Sequence, residues 1–293
     1  MNKGAATIWP WLLLMPALIL FSLFVLFPTV GNIYFSLTDY DGNVNNFDFI
    51  GLDNYKRAFT ADYDGVWNSI RITLIFCVAV TILQNSISII LAVLVNQKLK
   101  LSSFYRSAIF MPNILGILVV GLIWTLVFDP FSGPVSQLLS KFNIESALLG
   151  DEKVALGLVI FVQIWAHMGY SMVLYLAGLQ GIPKELYEAA HIDGASGWKS
   201  LIYVTLPLLQ PMITINLILM IIGTLGTFDI IFVLTNGGPN ESTMTLGMYI
   251  FTNIFHGGAS QGYASALAMI QFIIIFFVVF IAQYYSRRKE TEF

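Results

Sequence analysis

The chain has 293 residues, of which 57% are apolar or aromatic and only 11% charged, with a mean hydropathy of +0.77. Soluble domains carry about 25% charged residues, and a chain this apolar has too little polar surface to cover a globular core. A soluble enzyme and a disordered chain are thereby excluded, and a net charge of −3 leaves no basic footprint for nucleic acid.

What remains is a membrane protein. A helix needs about 20 apolar residues to cross about 30 Å of hydrocarbon. Runs at about 11–37, 72–95, 107–128, 154–179, 208–235 and 263–285 meet that need, and each is too long for a barrel strand. The predicted fold class is an all-α membrane protein with six transmembrane helices. The first run follows Lys3 as a signal peptide would. It is longer than an h-region, contains Pro16 and Pro28, lacks a small-residue cleavage pattern, and reads as a retained span.

Basic residues orient the chain. Lys3, Lys98, Lys100, Arg106, Lys184, Lys199, Arg287, Arg288 and Lys289 share one set of compartments; Lys56, Arg57, Arg71, Lys141 and Lys153 share the other. The expected topology has both termini cytoplasmic. In the first outer loop, residues 53–59 (DNYKRAF) read as a short surface helix, with Asp53 as its N-cap and Tyr55 and Phe59 on one face. Cys77 is the single cysteine, so there is no internal disulfide, and no Cys/His set has zinc spacing.

The segment at about 181–207 is the most informative. Pro183 suits the first turn of a helix, Glu185 and Glu188 suit its N-terminal half, and Gly194 is placed to stop it. A helix over about 183–193 follows, and its adjacent alanines make one side slim enough to seat in a groove. From the residues alone, a connector helix lying on the membrane surface is the competing reading.

The residues Glu188-Ala189-Ala190, then Asp193-Gly194, then Val204-Thr205-Leu206-Pro207 resemble the E-A-A…G…I-x-L-P signature of ABC importer permeases, with a conservative Val at its second end. Phe49-Ile50-Gly51-Leu52-Asp53-Asn54-Tyr55 resembles the F-x-G-L-x-N-Y stretch of sugar permeases, and Thr235-Asn236-Gly237-Gly238-Pro239 their T-x-G-G-P turn. The resemblance covers almost the whole chain and points to the maltose-transporter-permease group in its compact six-span form. It implies a type I ABC importer permease fold, read as one domain over residues 1–293. Glu188, Ala189, Ala190, Asp193, Gly194, Leu206 and Pro207 would then couple to a cytoplasmic ATPase dimer. A second homologous permease subunit and an extracytoplasmic solute-binding protein are the other implied partners, in a prokaryotic cytoplasmic membrane. No cofactor is expected on this chain. ATP-Mg is expected on the ATPase, because the nearest approach to a P-loop, Gly194 to Ser200, has Trp198 between Gly197 and Lys199 and no preceding strand.

Polar residues at membrane depth are costly and face a cavity or another helix. Gln84, Asn85 and Ser88 read as interhelical hydrogen-bonding groups. Gln163, His167 and Tyr170 share a face by i, i+4, i+7 spacing, with Trp165 and Phe228 nearby, which suits a sugar. The resemblance places sugar contacts at Gln163, Ala166, His167, Tyr170, Met220, Gly223 and Thr224; most of these side chains differ from the maltose permease's, Tyr170 excepted, so a different sugar is implied. His167 has a second reading, as a core residue bonded to a carbonyl. Asp229 has three: it snorkels or structures an outer gate, it binds sugar hydroxyls, or it relays protons with His167. The expected function is ATP-driven import of a sugar or oligosaccharide by alternating access, without enzymatic chemistry of its own. A glycerol phosphate derivative and a proton-coupled carrier are the alternatives. A membrane enzyme lacks support, since no HExxH, GxSxG or paired intramembrane acids occur.

Overall fold

The computed structural model describes residues 3–43, 47–97, 100–144, 146–255 and 261–287. Lys98, Arg288 and Lys289 of the charge pattern lie outside these residues. Within them the regular structure is helical, apart from one isolated antiparallel bridge, Thr38 to Phe49.

In chain order, α1 (Lys3–Phe21) passes through a π-turn (Ser22–Leu26) into α2 (Phe27–Phe35), followed by the short α3 (Asp53–Ala58) and the long α4 (Tyr63–Asn96). Next come α5 (Ser102–Ile114), α6 (Ile117–Val127), α7 (Pro134–Ser140), a 3₁₀ turn (Leu148–Gly150), α8 (Ala155–Gly181) and α9 (Lys184–Ile192). The single turn α10 (Trp198–Ser200) leads through a second π-turn (Leu201–Thr205) into α11 (Leu206–Leu208), then α12 (Gln210–Leu225), α13 (Asp229–Leu234), α14 (Leu246–Phe255) and α15 (Gln261–Arg287).

Among the described residues, four helices are long and apolar enough to cross a membrane: Leu12–Phe35, Tyr63–Asn96, Ala155–Gly181 and Gln261–Ser286. Two further runs are broken helices. The α5–α6 pair bends by 97°, and the pair Trp198–Leu208 and α12 bends by 69°; counting each bent pair once gives six crossings. The first break has a local cause. Leu115 and Gly116 are extended, with ψ of 137° and 139°, just beyond Pro112, which has no N–H to give the helix. At the second break Leu209 sits between Pro207 and Pro211. The expected run 208–235 is also interrupted later: α12 ends at the Gly226 C-cap, and α13 starts at Asp229. Helix α4 begins at Tyr63 rather than near 72, because its first turns are amphipathic, with Val66, Ser69 and Ile72 turned inward.

Contacts divide the chain into two compact units. The first comprises Met1–Asp64 and Ile250–Phe272. Its FIGLDNY stretch is a turn and cap device. Gly51 takes a φ of +62°, which favours glycine. The buried Asn54 amide donates to the Ser36 carbonyl at 3.0 Å and the Thr38 carbonyl at 2.8 Å, and the Tyr55 hydroxyl donates to Ser36 Oγ at 2.8 Å. Asp53 is the first residue of α3 rather than its cap; Leu52 holds the cap position without a side-chain bond. The Arg57 guanidinium lies 4.1 Å from the centre of the Tyr263 ring.

The second unit comprises Gly65–Tyr249 and Ile273–Phe293. Its core joins Ala92 and Val95 of α4, Met172, Tyr175, Leu176 and Leu179 of α8, and Leu209. Cys77 is buried with Ile221 and Leu225 of α12, against Ile275 and Val278 of α15. Between membrane helices, association comes from close packing rather than water exclusion, and glycines set the closest approaches: a β-carbon on Gly121 would lie 2.6 Å from Val233, and one on Gly178 2.8 Å from Leu209. In the link after α6, the Asp129 carboxylate accepts from the backbone N–H groups of Ser132 (2.7 Å) and Phe131 (3.0 Å) and from the Ser132 hydroxyl (2.8 Å). These bonds, the Ser132 N–H first, hold its pKa below the ordinary value of 3.8. The linked stability is present above that value and is lost as pH falls through the lowered one.

Candidate functional site

A cavity of about 410 Å³ opens within the second unit. Five segments build it: Gln84 from α4; Ile117 from α6; Gln163, His167, Tyr170 and Ser171 from α8; Asn216, Met220, Gly223 and Thr224 from α12; and Gly226, Thr227 and Asp229 from the break beyond. The helical spacing of 163, 167 and 170 does put three side chains on one wall. Of the residues assigned to the sugar, Gln163, His167, Tyr170, Met220, Gly223 and Thr224 line the cavity. Ala166 does not; it is 2% exposed. Of the flanking aromatics only Tyr170 reaches the lining. Trp165 packs edge-on to Trp124 at 5.3 Å, and Phe228 pairs with Phe232 at 5.6 Å.

Beneath the lining lies a polar network joining α4, α8 and α12. Gln84 Nε2 donates to Ser171 Oγ at 2.9 Å, and Ser171 Oγ donates to Asn216 Oδ1 at 3.3 Å. Asn216 Nδ2 donates to Asn85 Oδ1 and to the Tyr175 hydroxyl, both at 2.9 Å, and that hydroxyl donates to Asn85 Oδ1. Ser88 Oγ donates to the Met168 carbonyl at 3.0 Å. Gln84, Asn85 and Ser88 are thus interhelical bonding groups as expected, with Gln84 also at the cavity wall. Tyr175 is a network member that the sequence did not single out; its only signal there is a polar residue four positions beyond Ser171 in an apolar run.

The network sets an order of stability effects. Asn216→Leu leaves the Ser171 hydroxyl proton without its acceptor and takes one donor each from Asn85 and Tyr175, although Tyr175 still donates to Asn85; the expected cost is about 2–3 kcal/mol, since an unsatisfied buried group costs about 1–3 kcal/mol. Tyr175→Phe leaves Asn85 and Asn216 still paired with each other and is expected to cost about 1 kcal/mol. Denaturant unfolding in detergent measures both; equal losses would contradict the arrangement.

His167 Nδ1 lies 3.1 Å from the Gln163 carbonyl, so His167 is both carbonyl-bonded and on the cavity wall. Asp229 lines the cavity too, and its Oδ1 accepts from the Ile230 N–H at 3.1 Å.

A second cluster lies at α9. Pro183 is the N-cap rather than the first helical residue. The C-terminus is a Schellman motif: the Ala195 N–H donates to the Ala190 carbonyl at 2.8 Å and the Gly194 N–H to the His191 carbonyl at 3.1 Å, with Gly194 at a φ of +78°. That explains the spacing of the signature, since the glycine must stand four residues after the second alanine for these two bonds to close. Glu188, Ala189, Asp193 and Gly194 are exposed and Ala190 half-buried. A groove of about 500 Å³ runs along Tyr187, Glu188, His191 and Ile192 toward Ser196 and Ser200. The Tyr187 hydroxyl shares a 3.3 Å hydrogen bond with Thr205 Oγ1, tying α9 to the π-turn that leads to Leu206 and Pro207. Leu206 is half-buried and Pro207 exposed.

The sequence signature described as "Binding-protein-dependent transport system inner membrane component" matches residues 84–291, from the middle of α4 to beyond α15. The chain belongs to this family. It is 38% identical over 268 residues to the multiple sugar-binding transport system permease protein MsmF of Streptococcus mutans, covering 91% of each chain. It is 32% identical over 287 residues to the lactose transport system permease protein LacF of Rhizobium radiobacter, covering 96% of this chain and 94% of that one. Its fold matches a crystal structure of a bacterial ABC transporter involved in the import of the acidic polysaccharide alginate, with a TM-score of 0.85, 22% identity and 98% of both chains covered. As an inner membrane transport component, the chain is a multi-pass membrane subunit rather than an enzyme.

Proposed function

We propose that this permease carries a neutral sugar or oligosaccharide through the membrane in an ATP-driven importer. The observation that carries the reading is the composition of the cavity: amide, hydroxyl and imidazole groups from three helices line it, together with one carboxylate and no lysine or arginine. Polar groups set among apolar walls suit a hydroxyl-bearing ligand, and relatives named for sugar transport support the choice. A glycerol phosphate derivative would want a cation here.

In this reading residues 1–293 form one permease domain with both termini and α9 on the cytoplasmic side. A cytoplasmic ATPase dimer holding ATP-Mg grips α9, through Glu188, Ala189, Ala190, Asp193 and Gly194, with Leu206 and Pro207 bracing it. A second homologous permease completes the other half of the pathway, and a solute-binding protein delivers the sugar from outside; one structural relative was crystallised with a pentasaccharide-bound periplasmic protein. Closure of the ATPase dimer shifts α9, and packed helices rock between two states. A proton-coupled carrier would need a relay between His167 and Asp229, yet among the described residues no ion pair joins them. The test is uptake by the complete transporter in proteoliposomes, offered a panel of neutral trisaccharides. Uptake is expected to follow ATP and to persist with a protonophore; uptake that collapses with the protonophore at full ATP would overturn the reading.

A further inference from the structure

Each polar atom on the cavity wall has a definite capacity left for a ligand. Thr224 Oγ1 spends its proton on the Met220 carbonyl at 2.7 Å, and Thr227 Oγ1 spends its own on the Gly223 carbonyl at 2.9 Å. A hydroxyl whose proton is committed offers only lone pairs. An ionised Asp229 is acceptor-only as well, with one oxygen already taking the Ile230 N–H. Against a carbonyl, His167 Nδ1 must carry the proton, which leaves Nε2 of the neutral ring as an acceptor. Asn216 gives its Nδ2 protons to Asn85 and Tyr175 and receives Ser171's, so it has no donor left for a ligand. Among the side chains that line the cavity, those with donors to spare are Gln163 and Tyr170 on the α8 side and the second amide proton of Gln84. The negative end of the α12 dipole also arrives here, at Gly226, while the opposing α13 is a six-residue stub met by Asp229's own carboxylate.

We infer that Asp229, with Thr224 and Thr227, makes the α12–α13 wall a field of hydrogen-bond acceptors that selects ligands by the hydroxyl protons they donate and turns away carboxylate- or phosphate-bearing saccharides. The inference rests on the sugar-import reading and narrows it. A neutral glycan presents a donor on every free hydroxyl, so it satisfies this wall. A uronate or sugar phosphate presents acceptor oxygens and negative charge to side chains that only accept, leaving buried acceptors unpaired and like charges apposed. Asp229 is then a specificity-determining residue, outside the set that sequence comparison with sugar permeases would nominate.

The test uses the assembled transporter in detergent, without its solute-binding protein, so that discrimination belongs to the membrane subunits. Protection against thermal unfolding is titrated with maltotriose, cellotriose and raffinose as neutral probes, and with alginate trisaccharide and trigalacturonate as acidic ones. At least one neutral probe is expected to bind, with the acidic probes at least tenfold weaker. Asp229→Asn keeps the Ile230 cap and adds donors; it is expected to narrow the acidic-to-neutral gap at least tenfold, and Thr227→Val to weaken the neutral probe about threefold to tenfold. The unliganded midpoint of each variant reports its folding. Equal affinity of the wild type for acidic and neutral probes overturns this inference and leaves the sugar reading standing. An unchanged gap in Asp229→Asn removes Asp229 from the selection. Failure of every saccharide, neutral or acidic, to bind the wild type overturns both readings.

Discussion

Gly169→Leu is expected to abolish recovery of folded chain. Helix α8 crosses α5 at this glycine so closely that a β-carbon would stand 2.4 Å from the Ile109 carbonyl oxygen and 2.7 Å from Phe110 Cα. Both are backbone atoms, so no side-chain rotamer can relieve the collision. Overpacking a core with movable side chains already costs about 1–3 kcal/mol, and here α5 must be displaced as a body. The displacement would reach the cavity, because Gly169 lies between His167 and the Tyr170–Ser171 pair on the same helix. Gly157 is the control. It lies on α8, and a β-carbon there would have nothing within 4 Å. Exchanging this helical glycine for alanine is expected to be neutral or to stabilise by about 0.5–1 kcal/mol. Size-exclusion profiles and melting in detergent separate the two; a monodisperse Gly169→Leu protein melting with the wild type would refute the close packing of α5 on α8.

Glu188→Lys and Gly194→Asp are expected to reduce ATP-driven uptake at least tenfold while the protein still inserts. The Glu188 carboxylate is exposed and makes no hydrogen bond or ion pair with other described residues, so reversing it costs the fold within about 0.5 kcal/mol, as for most surface changes. Its effect must therefore be exerted on a partner. Gly194 has open space around it, but its φ of +78° is the left-handed region. A side chain there costs about 1–2 kcal/mol and loosens the two bonds that close α9, so the end of the lever frays while the core at Tyr175 and Leu209 is untouched. Uptake in proteoliposomes, beside the amount of inserted protein, measures both. Wild-type uptake by either variant would contradict a driving role for α9.

Much of this was legible from hydropathy, because a membrane helix must satisfy all its backbone groups internally and shows as a long apolar run. Hydropathy averages over a window, however, and does not register where a run breaks. Leu115-Gly116 and Gly226-Thr227 are apolar or neutral residues inside apolar stretches, and only backbone geometry reveals that they interrupt helices. The ten-residue α14 was missed for the complementary reason: Leu246–Phe255 is apolar but too short to read as a span. In the cavity, spacing along one helix placed Gln163, His167 and Tyr170 together, whereas the partnership of Tyr175 with Asn85 and Asn216 spans separations of 90 and 41 residues. Such contacts leave no periodic trace. The α9 segment was readable because capping is local: its glycine, its alanines and its closing bonds all fall within a few residues of one another.

The most apolar window of the helix Leu12–Phe35 has a mean hydropathy of 2.4, and none of it is buried within this chain. A stretch that buries none of its side chains within the chain is held to one demand, greasiness, and not to shape. Leu, Ile, Val and Phe should therefore be interchangeable along it over evolutionary time. The glycine-notched crossings of α8 allow no such drift, so a single polypeptide carries one stretch written in composition and another written letter by letter.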